Sequence, residues 1–210
     1  MEFGQLLFVP MGYVIGCLQS AYIIGRLRGN IDIRQHGSGN AGMTNVIRVM
    51  GFRTGLAVLF TDVAKAVFAV ILANFIFHGR LWGMVGIEYL PGLLAGLGVI
   101  LGHNFPFYLG FKGGKGVAST LGVVIMFYWP ILAIAAGVGL VVLAISRYMS
   151  LASLVAFAAL FAATCVFFNQ VEIIFVMGII CALPFYTHRA NIVRLYRGNE
   201  NRFGRGGKKT

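Results

Sequence analysis

Long apolar runs separated by short polar segments dominate this chain and determine its predicted architecture. A further apolar stretch between Lys115 and Arg147 contains Pro130, which removes a backbone hydrogen bond and breaks or kinks a helix. We therefore expect two short helices in this stretch, about 117–128 and 131–145. The other runs predict five helical membrane segments at about 5–25, 55–77, 91–104, 150–168 and 171–188.

The composition indicates a membrane protein. Hydrophobic residues make up 59% of the 210 residues and charged residues only 11%, which is unusual for a water-soluble fold. The first run has no Lys or Arg before it, so it is unlike a secretory signal and we expect it to be retained. The three cysteines lie in apolar runs without a CxxC spacing, which predicts neither a disulfide nor a zinc site. We expect one all-α polytopic membrane domain over 1–210, ending in a flexible basic tail at 203–210.

The basic residues decide the number and direction of the segments. A net charge of +11 could indicate nucleic acid, but cytoplasmic membrane loops also carry excess Lys and Arg. With seven segments and the N-terminus outside, all of the 17 basic residues except Arg80 and Lys65, hence 15, fall on the cytoplasmic side. Six segments would place the last seven cations outside. We therefore predict about seven transmembrane helices, some of them short, a cytoplasmic C-terminus and no nucleic-acid partner.

This topology gathers three polar segments on the cytoplasmic side. The first is RQHGSGNAGMTNVIRVMG at 34–51, where Gly37, Gly39 and Gly42 permit tight turns. Its neutral hydrogen-bonding groups and one guanidinium could bind a phosphate. Turn and helix-cap chemistry would explain the same residues equally well. The candidate ligand-binding residues are Ser38, Asn40, Thr44, Asn45 and Arg48.

The second polar segment is GHNFPFYLGFKGGKGVAST, residues 102–120. Its glycines at 110, 113, 114 and 116 surround Lys112 and Lys115, and His103 and Asn104 precede them. The spacing does not match the Walker phosphate loop, which has Ser or Thr directly after its lysine. So much unhindered backbone near two cations favours an anion-binding loop, and the alternative is a loop that contacts lipid headgroups.

The third polar segment, THRANIVRLYRGNENR at 187–202, repeats polar residues at a spacing of three. His188, Asn191 and Arg194 would share one face of a helix, which could line a site or lie on anionic lipid. Within the second span, Asp62 and Lys65 are also three apart, and we expect them to pair near the cytoplasmic face because buried charges in a membrane are costly.

The chemistry that these residues allow is narrow. The sequence shows no clustered carboxylates or histidines spaced for a metal, and no G-x-S-x-G nucleophile motif. His103 and His188 are the plausible side-chain proton acceptors. The residues alone therefore indicate either a phosphate-handling lipid enzyme or a membrane transporter or channel for a phosphorylated metabolite. The transporter would need a polar path to the outer side, where few polar residues are available.

Three motifs, GSGNAGMTNVIRVMG, GHNFPFYLGFKGGKGVAST and NIVRLYRGNENR, resemble in order and spacing those of the bacterial acyl-phosphate:glycerol-3-phosphate acyltransferases, the PlsY family. The resemblance covers essentially the whole chain, with Met43 as its one departure. It implies transfer of a fatty acyl group from acyl phosphate to the sn-1 hydroxyl of glycerol 3-phosphate, giving lysophosphatidic acid and inorganic phosphate in the first step of bacterial phospholipid synthesis. It also implies a multi-pass protein of the bacterial cytoplasmic (inner) membrane, surrounded by membrane lipid, with its active site on the cytoplasmic side.

The resemblance further implies a division of the site between two phosphates. We assign the acyl phosphate to the second segment, through Lys112, Lys115, Gly113, Gly114 and Gly116. His103 is either a hydrogen-bonding wall or a general base, and the substrate phosphate could itself accept the proton. No cofactor or metal is expected, and a monomer is expected to suffice. We assign glycerol 3-phosphate to Ser38, Asn40, Thr44, Asn45, Arg48, Ser150, His188 and Asn191, with Ser153 as a neighbour.

Overall fold

A computed structural model of the chain describes residues 3–81 and 86–202, so the predicted tail at 203–210 lies outside the described residues. The described residues form α-helices joined by loops and short 3-10 turns, which confirms the predicted all-α class. The helices are α1 (Phe8–Gly16), α2 (Ser20–Gly29), α3 (Met43–Met50), α4 (Phe52–His78), α5 (Leu90–Asn104), α6 (Val117–Ser146), α7 (Met149–Phe167), α8 (Val171–Thr187) and α9 (Arg189–Tyr196).

The first predicted span is broken in the structure. Helices α1 and α2 are separated at residues 17–19, where Gln19 leaves the helical conformation with φ −87° and ψ 86°. The break leaves backbone carbonyls at the end of α1 without helical partners. The ammonium of Lys65 on α4 contacts two of them, at 3.1 Å from the Gly16 oxygen and 2.7 Å from the Leu18 oxygen.

Helix α5 is the central helix, with nearly every residue buried. It packs against α1 through glycines spaced four apart on both helices, Gly12 and Gly16 on α1 and Gly98 and Gly102 on α5. A methyl group added to Gly98 would lie 2.1 Å from the carbonyl oxygen of Val9, which is closer than any real contact. Small residues at these positions let two membrane helices approach backbone to backbone.

Helix α6 reverses direction within its length. Tyr128 has φ −160° and ψ 96°, which is an extended conformation, and Pro130 follows in the first turn of the second arm, where its missing N–H costs least. A straight helix of these 30 residues would be about 45 Å long. Lys115 and Ser150 flank the helix, yet both are hydrogen-bonded into one network through Asn191 and Glu200. The ends of α6 therefore lie side by side.

The reversal places Tyr128 at the face opposite to these ends. The Tyr128 ring packs against Phe168, with centroids 5.5 Å apart, and Phe168 lies 6.3 Å from Tyr89. Tyr89 lies in the connection between α4 and α5, and Phe168 lies in the connection between α7 and α8. We call this end of the protein the opposite face. The loops that contain the three polar motifs lie at the other end, which we call the loop face.

Five helical segments of the described chain are long and apolar enough to cross a bilayer, or six if α8 and α9 are taken as one bent span. One of these segments is α6, whose two arms, 117–127 and 129–146, each pass between the faces. With the two arms the chain makes seven passages, of which the first starts near the opposite face and the last ends at the loop face. The connectivity thus agrees with the predicted seven segments, two of them short.

Candidate active site

A cavity of about 570 Å³ opens at the loop face and extends between α6 and α7. Its outer part is polar and is formed by residues from all three predicted loops, together with α7. Its inner part is apolar and is lined by small and branched residues of α7 and the second arm of α6, including Ala135, Gly139, Ala152 and Ala156. Of the predicted site residues, the following line the cavity: Ser38, Asn40, Thr44, Asn45, Arg48, His103, Lys115, Gly116, Ser150, Ser153, His188 and Asn191.

The first polar segment is held in shape by Asn45, which is only 1% exposed. Its side-chain amide donates to the carbonyls of Ile33 and His36 at 3.2 and 2.9 Å, and its oxygen accepts from the Ser38 amide at 2.7 Å. These bonds use both N–H groups of the amide and one of the two acceptor positions of its oxygen, so Asn45 shapes the loop while it also lines the cavity. Arg48 lies one turn further along α3 with its exposed side chain at the cavity.

The second segment differs from the predicted anion nest. The Gly113 amide donates to the Asn104 carbonyl at 3.1 Å, and the Gly114 amide donates to the His103 carbonyl at 3.0 Å. Both glycines pack directly on the end of α5, since a methyl group at Gly114 would lie 2.0 Å from Nε2 of His103. Their amides are therefore already bonded, and neither residue lines the cavity. The assignment of acyl-phosphate binding to these two amides is not supported by this geometry.

The two lysines of this segment point to different environments. Lys112 is exposed and lies outside the cavity, with its carbonyl beside the Arg34 guanidinium at 3.5 Å. Lys115 is half-buried at the cavity, where its ammonium donates to the Asn191 side-chain oxygen. Burial lowers the pKa of Lys115 to about 8, and the charge of Glu200 acts in the opposite direction. Only Lys115 is therefore placed to contact a ligand in the cavity.

Arg34 joins the first and second segments, a role that the sequence did not indicate. Its guanidinium pairs with Asp32 at 2.7 Å and donates to the Leu109 carbonyl at 2.9 Å. Because the guanidinium bonds hold the chain before the glycines, they fix where the following residues enter the cavity.

The start of α6 provides a second attraction for anions. Gly116 precedes the helix with φ +81°, a conformation that favours glycine, and it lines the cavity with Val117 and Ala118. The first amides of a helix have no helical acceptors and carry a partial positive charge, so they favour a negatively charged ligand. Lys115 adds a full charge at the same point.

The third segment forms α9, and its polar residues converge on Glu200. Asn191 donates to one carboxylate oxygen at 2.6 Å and Arg194 to the other at 2.7 Å, while Ser150 on α7 donates to the first at 3.0 Å. Burial raises the pKa of Glu200, but these hydrogen bonds outweigh it, so that the pKa lies below its usual value. The shared helix face of Asn191 and Arg194 that the spacing predicted is confirmed by these contacts.

Glu200 is a cavity-lining residue that sequence reasoning missed. It lines the cavity, links α7 to α9, and orients the Asn191 amide that contacts Lys115. One signal was available, since the chain has only six acidic residues and this one stands in a basic segment. A carboxylate in that setting indicates pairing with cations.

The two histidines at the cavity differ in their hydrogen bonds. His188 follows α8, and its Nδ1 lies 2.8 Å from the Pro184 carbonyl, which can only accept, so Nδ1 carries a proton. His103 is 3% exposed, and its Nδ1 faces Lys65 at 3.0 Å. The predicted Asp62–Lys65 pair is present at 2.9 Å, with Asp62 also lining the cavity.

Fold and cavity together define a class of protein. A helical membrane protein that joins a cationic, hydroxyl-rich pocket at one face to an apolar groove within the bilayer can hold an amphipathic phosphate compound. Among the described residues no group of three His, Cys, Asp or Glu side chains is close enough to hold a metal ion. The cationic groups that line the pocket are the ammonium of Lys115 and the guanidinium groups of Arg48 and Arg194.

Comparison with known proteins identifies the family. Residues 6–198 match the family model described as glycerol-3-phosphate acyltransferase. The chain is 43% identical over 202 residues to the glycerol-3-phosphate acyltransferase of Desulforudis audaxviator, covering 94% of this chain and 95% of the relative. It is 42% identical over 199 residues to that of Paramagnetospirillum magneticum, covering 95% and 93%. The chain belongs to the glycerol-3-phosphate acyltransferase family.

Solved structures agree with this assignment. The fold is similar to a crystal structure of PlsY (YgiH), an integral membrane glycerol 3-phosphate acyltransferase, in its glycerol 3-phosphate form, with a TM-score of 0.84, 37% identity and 96% of each chain covered. The lysophosphatidic acid form of PlsY is also similar, with a TM-score of 0.81, 36% identity and 96% of each chain covered. This chain is therefore an enzyme of the PlsY type, as the motifs predicted.

Proposed function

We propose that this protein transfers a fatty acyl group from acyl phosphate to the sn-1 hydroxyl of glycerol 3-phosphate, releasing lysophosphatidic acid and inorganic phosphate. The observation that carries the proposal is the division of one cavity into a phosphate-binding outer part and an apolar inner groove. Acyl phosphate would place its phosphate in the outer part and its acyl chain in the inner groove. Lysophosphatidic acid, the product, also has a phosphate and an acyl chain and would bind in the same two parts.

Binding of the donor rests on Lys115, Gly116 and the first turn of α6. The phosphate of acyl phosphate would accept hydrogen bonds from the helix amides and pair with the Lys115 ammonium. As the acyl–oxygen bond breaks, negative charge grows on this phosphate, and donors already in place stabilise it without reorganisation. Lys112 is not part of this proposal because its side chain lies outside the cavity.

Binding of glycerol 3-phosphate rests on the remaining polar groups of the pocket. Arg48 has no ion pair or hydrogen bond among the described residues, so its guanidinium is available for a phosphate. Hydroxyl and amide groups of Ser38, Asn40 and Thr44, from the same polar segment, also line the cavity. Ser150 on α7, His188 before α9 and Asn191 on α9 line it as well. Holding acceptor and donor in one cavity supplies much of the rate through orientation.

The distribution of basic residues supports the proposed location. All Lys and Arg outside the spans of the described chain lie toward the loop face, apart from Arg80 near the opposite face. The positive-inside rule supports a cytoplasmic loop face, and hence a cavity that opens toward the cytoplasm. We propose a bacterial inner-membrane enzyme that acts as a monomer, since one chain supplies every wall of the cavity. The acyl chain would enter the groove from the surrounding lipid.

The test is a direct assay of the purified protein in detergent. Acyl phosphate and glycerol 3-phosphate together should give equimolar inorganic phosphate and lysophosphatidic acid, and neither substrate alone should. Acyl-CoA should not replace acyl phosphate, because the proposed donor site at Lys115 and the first turn of α6 holds a phosphate directly beside the apolar groove. Robust turnover with acyl-CoA, or phosphate release without lysophosphatidic acid, would contradict the proposal. Uptake of glycerol 3-phosphate into vesicles without acylation would instead support a transporter.

A further inference from the structure

A buried group of ionisable residues lies at the base of the cavity, where α4 meets the end of α5. The Lys65 ammonium is surrounded by four possible acceptors, the carbonyls of Gly16 and Leu18, the Asp62 carboxylate at 2.9 Å and Nδ1 of His103 at 3.0 Å. Asp62 also accepts from the Ser20 hydroxyl at 2.7 Å. The contacts with backbone carbonyls explain why the ammonium of Lys65 lies at the break between α1 and α2. They do not explain why the same ammonium contacts a histidine at the cavity.

This contact determines where the histidine carries its proton. A lysine ammonium has three N–H donors and no acceptor, so a ring nitrogen 3.0 Å away must offer its lone pair. The competing acceptor for an Nδ1 proton is Asp62, whose oxygen is 3.4 Å from Nδ1 and thus beyond good hydrogen-bond distance. A proton on Nδ1 would also point at the ammonium. Nδ1 is therefore unprotonated, and the neutral ring carries its proton on Nε2.

The surroundings support a neutral ring. Asp62 and Lys65 are the charged side chains of the described chain that contact the imidazole, and their charges cancel. Gln19 contributes a neutral amide, which donates to the His103 carbonyl at 2.7 Å. The polar loops contribute only backbone, since Nε2 lies against Gly114, where the Ala41 carbonyl also approaches. A second positive charge 3 Å from Lys65 would be repelled strongly in this buried setting.

We propose that Lys65 is a positioning residue for catalysis, which holds His103 as a hydrogen-bond donor through Nε2 and prevents it from serving as the general base. The inference rests on the proposed function for its catalytic meaning. Nε2 is the ring nitrogen without a hydrogen-bond partner among residues 3–81 and 86–202, and His103 lines the cavity. Nε2–H would therefore donate to a substrate oxygen. The hydroxyl proton of glycerol 3-phosphate must then go to another acceptor.

Ring nitrogen chemical shifts measured on protein labelled with 15N-histidine test the proton position directly, without substrate. The His103 signals, identified by their loss in His103→Gln, should show a neutral ring with the proton on Nε2 between about pH 6 and 8, around the ordinary histidine pKa. In Lys65→Met, where Asp62 is left unopposed, the same ring should become positively charged. An Nδ1 proton or a charged ring in the wild-type protein would overturn the proposal.

Activity provides an independent measurement. Glutamine places an N–H close to the position of Nε2 but cannot accept a proton, so His103→Gln should keep kcat within about tenfold of wild type and leave the acidic side of the pH profile unchanged. Loss of a true general base costs about 10²- to 10⁴-fold. A loss in that range, with disappearance of the acidic limb, would refute the donor role.

These readouts separate the two proposals. Lys65→Met also removes bonds to the α1 carbonyls, so if it fails to fold, the wild-type spectrum and His103→Gln decide the matter. Inactivity of the wild-type protein with acyl phosphate would contradict the proposed function and leave the nitrogen shifts intact. A wrong tautomer in an active enzyme would contradict only the role of Lys65.

Discussion

Lys115 and Lys112 provide a matched pair for testing the phosphate site, because they lie three residues apart in one loop with opposite environments. Lys115→Ala removes an ammonium that is half-buried at the cavity and preorganised by Asn191. Loss of one preorganised donor to a developing charge typically costs about 2.7–4 kcal/mol, or about 10²- to 10³-fold in kcat. Lys112→Ala removes an exposed charge worth no more than about 1 kcal/mol near anionic lipid, a few-fold effect.

The pH dependence sharpens this test. The pKa of Lys115 lies at about 8, so the ammonium is present below that pH and is lost as the pH rises through it. Activity should therefore fall above about pH 8 in the wild-type enzyme. Lys115→Arg, whose guanidinium stays charged, should lose this basic limb even if its kcat is lower. Because Glu200 raises the pKa of Lys115, Glu200→Gln should move the limb to lower pH.

The assay is continuous release of inorganic phosphate from acyl phosphate in detergent free of anionic lipid, with saturating glycerol 3-phosphate. Circular dichroism and thermal unfolding would establish that each variant is folded. If Lys115→Ala keeps near-normal turnover, or if Lys112→Ala loses as much, the loop contacts lipid or acts through another group, and the assignment of the phosphate to Lys115 is wrong.

Three further changes probe the acceptor, the groove and the fold. Arg48→Ala should raise the KM for glycerol 3-phosphate more than it lowers kcat, whereas Arg53→Ala, outside the cavity, should change neither constant. An equal fall in kcat and in kcat/KM would contradict ground-state binding by Arg48. Ala156→Leu narrows the groove, so kcat/KM should fall more for long than for short acyl phosphates, and uniform rates across chain lengths would show that the chain lies elsewhere. Gly98→Ala should lower the thermal unfolding temperature, because its new methyl would clash with the carbonyl of Val9; unchanged stability would refute that close packing.

The helical architecture could be predicted because its causes are local. Apolar runs of helical length predicted the spans. Pro130 predicted the division of α6 into two arms, because a residue without an N–H can start a helix but not continue one. The break between α1 and α2 could not be predicted from the same pattern. Its carbonyls are bonded by Lys65, which is 49 residues distant from Gly16, and no local signal reports such a partner.

The candidate site could be predicted as a set of segments but only partly as a set of roles. Ser38, Arg48 and Asn191 are polar residues in membrane-flanking loops, and the cavity contains all three. Asn45 has the same chemistry in the sequence and also lines the cavity, yet its amide makes three hydrogen bonds that hold its own loop. Side-chain type indicates what a residue can bond, whereas its partner depends on which carbonyls the folded loop leaves free.

The sequence FKGGKG shows why spacing alone could not separate its two lysines. Glycines beside lysines suggested free amides around an anion, but Gly113 and Gly114 bond to the last carbonyls of α5 and pack where any side chain would clash. This contact holds the backbone against the end of α5. The chain therefore passes from the exposed Lys112, along the helix end, to Lys115 at the cavity. The glycines thus serve the site by permitting close packing, and the amides that remain for phosphate are those of the next helix. A Gly114→Ala variant should consequently displace His103 as well as the loop, so its defect should appear in folding and in turnover together.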